Sequence, residues 1–181
     1  EPAIAIGLSR AAQADALANI AARINAKLEL DTVLHNICEE IGRAIPSLPS
    51  SSVMLVDSES SQFYYAATYG EYSGLTNEIS PIPRSLYENQ NEKNSSIIVI
   101  PDIHDKQIFQ DPWFEKISRA RTVVSASLMH QGKLIGVLSL ASHLVPYIPT
   151  TDELAFIQAL ANHATIAITN ASLFQQISES Q

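Results

Sequence analysis

Cysteine is almost absent from this chain: Cys38 stands alone among 181 residues, so no disulfide can close within it. Basic side chains are also few, 11 Lys and Arg against 19 Asp and Glu, giving a formal net charge of -8 and a pI near 5.0. Binding to a phosphate backbone draws on clustered Lys and Arg that release counterions, so no nucleic-acid partner is expected. No apolar run approaches the roughly 20 residues that span a bilayer, and the opening EPAIAIGLSR lacks a basic leader followed by a long apolar stretch. We therefore expect a soluble, cytoplasmic chain with no membrane contact. An initiating Met is missing too, which leads to the expectation of a fragment of a larger protein. No internal repeat or low-complexity tract is visible.

What is present is patterned. Hydrophobic residues make up 46% of the sequence, enough for one core-bearing domain with additional helix at its ends. Val123 to His130 and Lys133 to His143 are rich in Val, Leu, Ile and Ser, and Gln131-Gly132 between them suits a tight hairpin turn. After Pro146 and Pro149, the run Thr150-Thr151-Asp152-Glu153 offers a hydroxyl cap with a carboxylate three residues on, and Leu154, Ile157, Ala161, Ala164 and Ile168 then follow at helical spacing. Upstream, Ala11 to Leu28 reads as a helix with a narrow seam of Leu17, Ile20, Ile24 and Leu28. Asp31 reads as the cap of a second helix carrying Val33, Leu34, Ile37, Cys38, Ile41 and Ile45, stopped by Pro46. Strands are expected at Ser52 to Asp57, Phe63 to Tyr69 and Ile97 to Ile100, with a short edge segment near Ile79 and helical turns after Ser85. Asp111-Pro112 reads as the start of a helix running to about Arg121.

The wording of these segments resembles one family. GKLIGVLSLASH followed by TTDELAFIQALANHATIAITNASLFQQ is similar to the last two strands and terminal helix of GAF domains from bacterial signalling proteins. RINAKLELDTVLHNICEEIGRAI, SSVMLVDSESSQFYYAATYG and IIVIPDIHDKQIFQDPWF resemble the family's first helices, its first hairpin and the strand and loop before its pocket helix. The resemblance implies an α+β, GAF-like (PAS-related) fold: a central antiparallel sheet of about five or six strands, long N- and C-terminal helices on one face, and short helices and loops enclosing a pocket on the other. On that reading residues 1–30 form a linker or signalling helix, 31–165 the domain core, and 166–181 an extension toward an output domain elsewhere in the parent chain.

Candidate site residues follow from placement. Counting back from a two-residue turn puts Ser127 opposite Gly136 and Ser125 opposite Leu138, with Ala126 facing Val137 and Leu128 facing Ile135 on the other side. The face holding Ser125, Ser127 and Gly136 is the candidate pocket floor, against the bland reading of ordinary strand serines. Asp102, His104, Asp105, Asp111 and Trp113 crowd the connection before the expected pocket helix, where turn-forming Asp explains the carboxylates without any metal. Arg84, Tyr87 and Arg121 flank the same region as candidates for an acidic ligand. Cys38 falls on an apolar helix face, where a thiol is a small inert hydrophobe. The candidate ligand-binding set is thus Ser125, Ser127, Tyr87, Asp102, His104, Trp113 and Arg121, with no catalytic or metal residue.

Comparison with the family narrows the cofactor. Bilin-carrying relatives use a pocket cysteine commonly followed by histidine, whereas Cys38 precedes Glu39 and lies far upstream, so no covalent bilin is expected. Relatives that reduce free methionine sulfoxide need several cysteines, and the Asn-Lys, Phe and Asp-Glu signature of cyclic-nucleotide relatives is not found in order. Haem stays open, with His104 as the candidate axial ligand among five histidines. Leu17, Ile20 and Ile24 at one end and Ile166, Leu173 and Ile177 at the other form seams that suggest a parallel homodimer through the terminal helices. The expected function is a small-molecule-sensing and dimerisation module of a two-component signalling protein, with a histidine kinase or response regulator as candidate parent. A ligand-free dimeric connector and a non-covalent haem or tetrapyrrole sensor of redox, gas or light are the alternatives; an enzyme using His and Asp of the middle loop is disfavoured for want of a nucleophile motif.

Overall fold

The computed structural model describes residues 2–88, 97–105 and 119–180, with side chains described for 10–88, 97–105 and 119–172. Three helices and five strands are described: α1 (Pro2–Ala44), β1 (Ser50–Val56), β2 (Phe63–Tyr69), α2 (Ser85–Glu88), β3 (Ile97–Ile100), β4 (Val123–His130), β5 (Lys133–Ala141) and α3 (Thr151–Ser180), with a 3-10 segment at Gly70–Leu75. The strands form one antiparallel sheet in the order β2-β1-β5-β4-β3. Among the described residues, no helix is long and apolar enough to cross a membrane.

The N-terminal region differs from the two-helix expectation. α1 runs unbroken through Leu28 to Asp31, because no Pro or Gly interrupts it and the Thr32 hydroxyl folds back to donate to the Leu28 carbonyl at 2.8 Å, as a residue inside a helix does. An interior Asp costs under about 1 kcal/mol in helix propensity, too little to end a helix whose next turns are packed. Asp31 is therefore an interior residue and not a cap. At the other end Pro46 stops the helix as expected, and α1 closes at Ala44. β1 begins at Ser50, two residues before the expected strand, and β5 ends at Ala141, two residues before its expected end.

α3 starts where its cap signal places it. The Thr150 hydroxyl accepts the Glu153 N–H at 3.1 Å while the Glu153 carboxylate accepts the Thr150 N–H at 2.9 Å, a reciprocal capping box. Tyr147 donates its hydroxyl to the same carboxylate at 2.6 Å, which pins the loop before the helix. The expected helix from Asp111 lies largely outside the described residues. Its expected end at Arg121 is not helical, since the Arg121 N–H donates to the Ser142 carbonyl and its own carbonyl accepts from Ile103.

One face of the sheet is covered by the long helices. Leu34, Ile37, Cys38, Ile41 and Ile45 of α1 and Ile157, Ala161, Ala164 and Ile168 of α3 bury against Val53, Leu55, Ala67, Val124, Ala126, Leu128, Leu138 and Leu140. α1 ends just before β1, whose first residue pairs with the last residue of β5, and β5 leads into α3. The two helices therefore run antiparallel, and the first part of α1 extends beyond the sheet. No described residue from Arg10 to Val33 is buried, and Leu17 and Ile20 are 66% and 49% exposed.

Candidate functional site

The other face of the sheet carries Met54, Phe63, Tyr65 and Val137, covered by Ile82 and by Tyr87 of α2. Two bulges decide which residues join it. The β4–β5 turn holds Gln131 and Gly132 at positive φ, as a two-residue hairpin turn requires, and the expected register holds for Met129–Leu134. Beyond these, Ile135 is an extra residue, so Leu128 pairs with Gly136, Ser127 with Val137 and Ser125 with Ser139. Counting without a bulge misplaces every later pair by one. Gly136 consequently leaves the expected pocket floor for the helix-covered face, where a Cβ would sit 2.6 Å from the Met54 carbonyl and 3.0 Å from Leu55. Ala66 is the corresponding extra residue between β1 and β2.

With that register a row of hydroxyls crosses the centre of the floor. Ser52 of β1 pairs with Ser139 of β5, and Ser139 with Ser125 of β4. All three are under 9% exposed. Tyr87 donates its hydroxyl to the Ser125 oxygen at 3.1 Å, and the Ser125 and Ser139 hydroxyls approach to 3.4 Å. Burial pushes the Tyr87 phenol up to about 12. Over the row lies a cavity of about 20 Å³ lined by Ser52, Met54, Tyr65, Tyr72, Ile82, Tyr87, Val123 and Ser139. Polar space of this size accommodates about one water.

The candidate residues divide accordingly. Tyr87 lines the cavity and donates to Ser125 beside it, whereas Ser125 and Ser127 share the face but do not line the space. Asp102 and Arg121 meet each other: Nε donates to Oδ1 at 3.1 Å and Nη2 to Oδ2 at 2.8 Å, a two-pronged pair across the base of the segment between them. These hydrogen bonds, with a further one from the His104 N–H, draw the Asp102 carboxyl down to about 2. His104 is exposed and does not line the cavity. Arg84, the other basic candidate, donates to the Ser61 carbonyl at 3.2 Å and pairs with Glu88 at 2.7 Å. Trp113 and Asp111 lie outside the described residues.

A five-stranded antiparallel sheet backed by two long helices, with a polar floor on its free face, matches one family in both sequence and shape. The family model of the GAF domain matches residues 29–168. The chain belongs to the GAF domain family. No curated protein matches it. Among solved structures, the GAF domain is similar to the blue-light absorbing form of the Thermosynechococcus elongatus PixJ GAF domain, at a TM-score of 0.68 and 13% identity over 86% of this chain and 94% of that one. It is also similar to a domain of a putative two-component sensor histidine kinase from Sinorhizobium meliloti (TM-score 0.59, 18% identity, 78% and 91% of the two chains). A third similar structure is the type II free methionine-R-sulfoxide reductase of Thermoplasma acidophilum (TM-score 0.61, 15% identity, 80% and 96%). At these identities the likeness concerns the fold.

Beside the cavity the GAF domain holds a constellation that the sequence did not advertise. His143 Nδ1 donates to the Arg119 carbonyl at 3.1 Å, so Nε2 accepts from the Ser50 hydroxyl at 2.7 Å, and the Ser50 oxygen in turn accepts the Glu71 N–H at 3.0 Å. A Glu71 carboxylate oxygen lies 3.4 Å from Nδ1, and Tyr72 packs edge-on to the imidazole at 5.7 Å between centroids. Serine, histidine and carboxylate in this order have the layout of an activated nucleophile. Yet Ser50 is 1% exposed, and Gly70 packs on it so closely that a Cβ there would lie 2.7 Å from the serine oxygen. No substrate carbonyl can approach that hydroxyl, so the group ties the ends of β1 and β5 to the 3-10 segment. Only long-range pairing brings residues 50, 71 and 143 together, which is why sequence reading saw His143 merely as a strand end.

Cys38 is fully buried on the helix-covered face, and burial pushes its thiol up to about 12. A thiol held protonated and sealed is a poor nucleophile. Among the described residues no group of three His, Cys, Asp or Glu side chains is arranged to hold a metal ion.

Proposed function

We propose that this GAF domain is a sensory and dimerisation module of a signal-transduction protein of the two-component type, with no chemistry of its own. The observation that carries the reading is the continuity of α1: one helix packs behind the sheet whose other face bears the cavity, and extends well beyond it with Leu17, Ile20, Ile24 and Leu28 exposed. Apolar residues repeated on an extended helix are what a helical partner covers. We assign that partner as a second copy of the chain, and Ile166 of α3, 61% exposed, is proposed to join the same interface. Leu173 and Ile177 continue the proposal beyond the described side chains. A ligand that alters the sheet floor would then change the helix geometry passed to an output domain of the parent chain. The similarity to a sensor histidine kinase domain and to a light-absorbing GAF domain supports a sensory role.

A second reading has its own observation. Phe63, Tyr65, Tyr72 and Tyr87 fill the free face so far that about 20 Å³ is left over the serine row, as in a dimeric connector that senses nothing itself. Native mass spectrometry of the purified chain, with its ultraviolet-visible spectrum, separates the two. A dimer carrying extra mass supports the sensor, a visible band would mark a haem or tetrapyrrole form, and a colourless dimer without extra mass favours the connector. A monomer at high concentration would end the dimerisation proposal.

A further inference from the structure

The cavity itself indicates what kind of molecule it would accept. Ser52 is 2% exposed and lines the cavity, so its hydroxyl faces that space. A serine hydroxyl facing such a space offers both a donor and an acceptor to whatever enters it. Its neighbours are hydroxyls as well: Ser139 on the floor, with Tyr65, Tyr72 and Tyr87 above. Among the described residues no charged side chain lines the space.

Among the described residues nothing at the cavity favours a charged ligand of either sign. An anion would need a basic partner, but among the described residues neither Arg84, which pairs with Glu88, nor Arg121, which pairs with Asp102, lines the cavity. The charges felt at the cavity tyrosines are carboxylates, Glu78 near Tyr65 and Glu71 near Tyr72, which disfavour an anion further. A cation would gain only from these carboxylates at a distance, since neither lines the cavity, and would lose its hydration without a direct counter-ion. What remains is a neutral group with a donor and an acceptor.

Space must come from a side chain that yields. Tyr87 is anchored through Ser125 at 3.1 Å, and Tyr65 receives the Ser80 hydroxyl at 3.4 Å. Tyr72 makes no hydrogen bond through its hydroxyl among the described residues, is only partly buried, and sits on the 3-10 segment at the cavity edge. Its displacement would break no hydrogen bond described for its hydroxyl, giving up the edge-on contact with His143 and the packing against the cluster of Val123 and Ala141.

We propose that the pocket takes a small uncharged molecule bearing a hydroxyl or amide group, which binds the Ser52 and Ser139 hydroxyls in place of a water and is admitted by displacement of Tyr72. The inference rests on the sensory reading above and specifies its ligand class. The test is a titration followed by amide chemical shifts, using acetamide, acetate and guanidinium as near-equal probes of neutral, negative and positive character. Acetamide is expected to shift resonances of Ser52, Ser139 and Tyr72, more strongly in Tyr72→Ala, and to bind about tenfold more weakly in Ser52→Ala, as loss of a buried hydrogen bond predicts. Ser139→Ala, a smaller change, gives the same readout should Ser52→Ala fold poorly. Acetate or guanidinium binding at these residues as well as acetamide would overturn the ligand class, and a charged ligand that co-purifies in the pocket would do so while leaving the sensory reading intact. Silence of all three probes in the wild type and in Tyr72→Ala would overturn the inference; if no extra mass co-purifies either, the ligand-sensing reading falls with it and the connector remains.

Discussion

Two single side chains, one in an ion pair and one sealed behind the sheet, make direct predictions. The Asp102 carboxyl is drawn to about 2 by Arg121, below the roughly 3.9 of an unfolded aspartate, so the pair stabilises the fold in full above about pH 4. That contribution falls away as pH drops through about 2. In Asp102→Asn the acid limb between about pH 4 and 2 should therefore be shallower than in the wild type, measured as the urea midpoint across that range. Identical limbs would show that the pair adds nothing to stability. Cys38 is predicted to resist iodoacetamide in the folded protein and to react rapidly once urea unfolds it, because its thiol is buried and pushed up to about 12. Equal rates in both states would contradict its burial. At this scale the sequence named Ser125 and Tyr87 as candidates and the structure brings them together, but Ser52, Ser139 and the tyrosines Tyr65 and Tyr72 passed unnoticed. Their shared face depends on strand pairing, which no local pattern encodes.

At the scale of elements, signals confined to a few residues were legible and signals needing a partner were not. The capping box at Thr150 and Glu153, the turn at Gln131-Gly132 and the stop at Pro46 are local chemistry, and each stands where the sequence placed it. Asp31 shows the opposite case: the same residue type that caps a free helix is tolerated inside one when neighbouring turns are packed. The two roles have opposite signs. Asp31→Ala should leave stability unchanged or raise it by up to about 0.7 kcal/mol, whereas loss of a true cap would cost about 1 kcal/mol. Thr150→Ala is the matching control and should lose about 1 kcal/mol in urea denaturation. A loss of similar size in Asp31→Ala would restore the two-helix reading.

At the scale of the whole molecule α1 dominates, a helix of 43 residues whose described side chains are first buried at Leu34. At about 1.5 Å per residue it extends roughly 65 Å end to end, longer than the sheet it backs. Dimerisation through that extension predicts that Leu17→Asp with Ile24→Asp lowers the mass seen by light scattering from dimer toward monomer without unfolding the domain, since both side chains are half or more exposed in one chain. An unchanged mass would move the interface elsewhere. The family was legible here because the hydrophobic pattern runs the length of the chain; the ligand was not, because the free face is assembled from strands far apart in sequence.

The extra residue at Ile135 has one more consequence. In a strand, a shift of one residue exchanges the two faces, so the hairpin behaves like a reading frame with Ile135 as its inserted letter. Deleting it would make Met129–Leu134 and Leu128–Gly136 consecutive pairs, so the strand would lose its kink while Ser139 kept its place opposite Ser125 on the floor. The bulge therefore gives the hairpin one residue of slack, which can be taken up with the hydroxyl floor unmoved, and a comparison made position by position must allow for it.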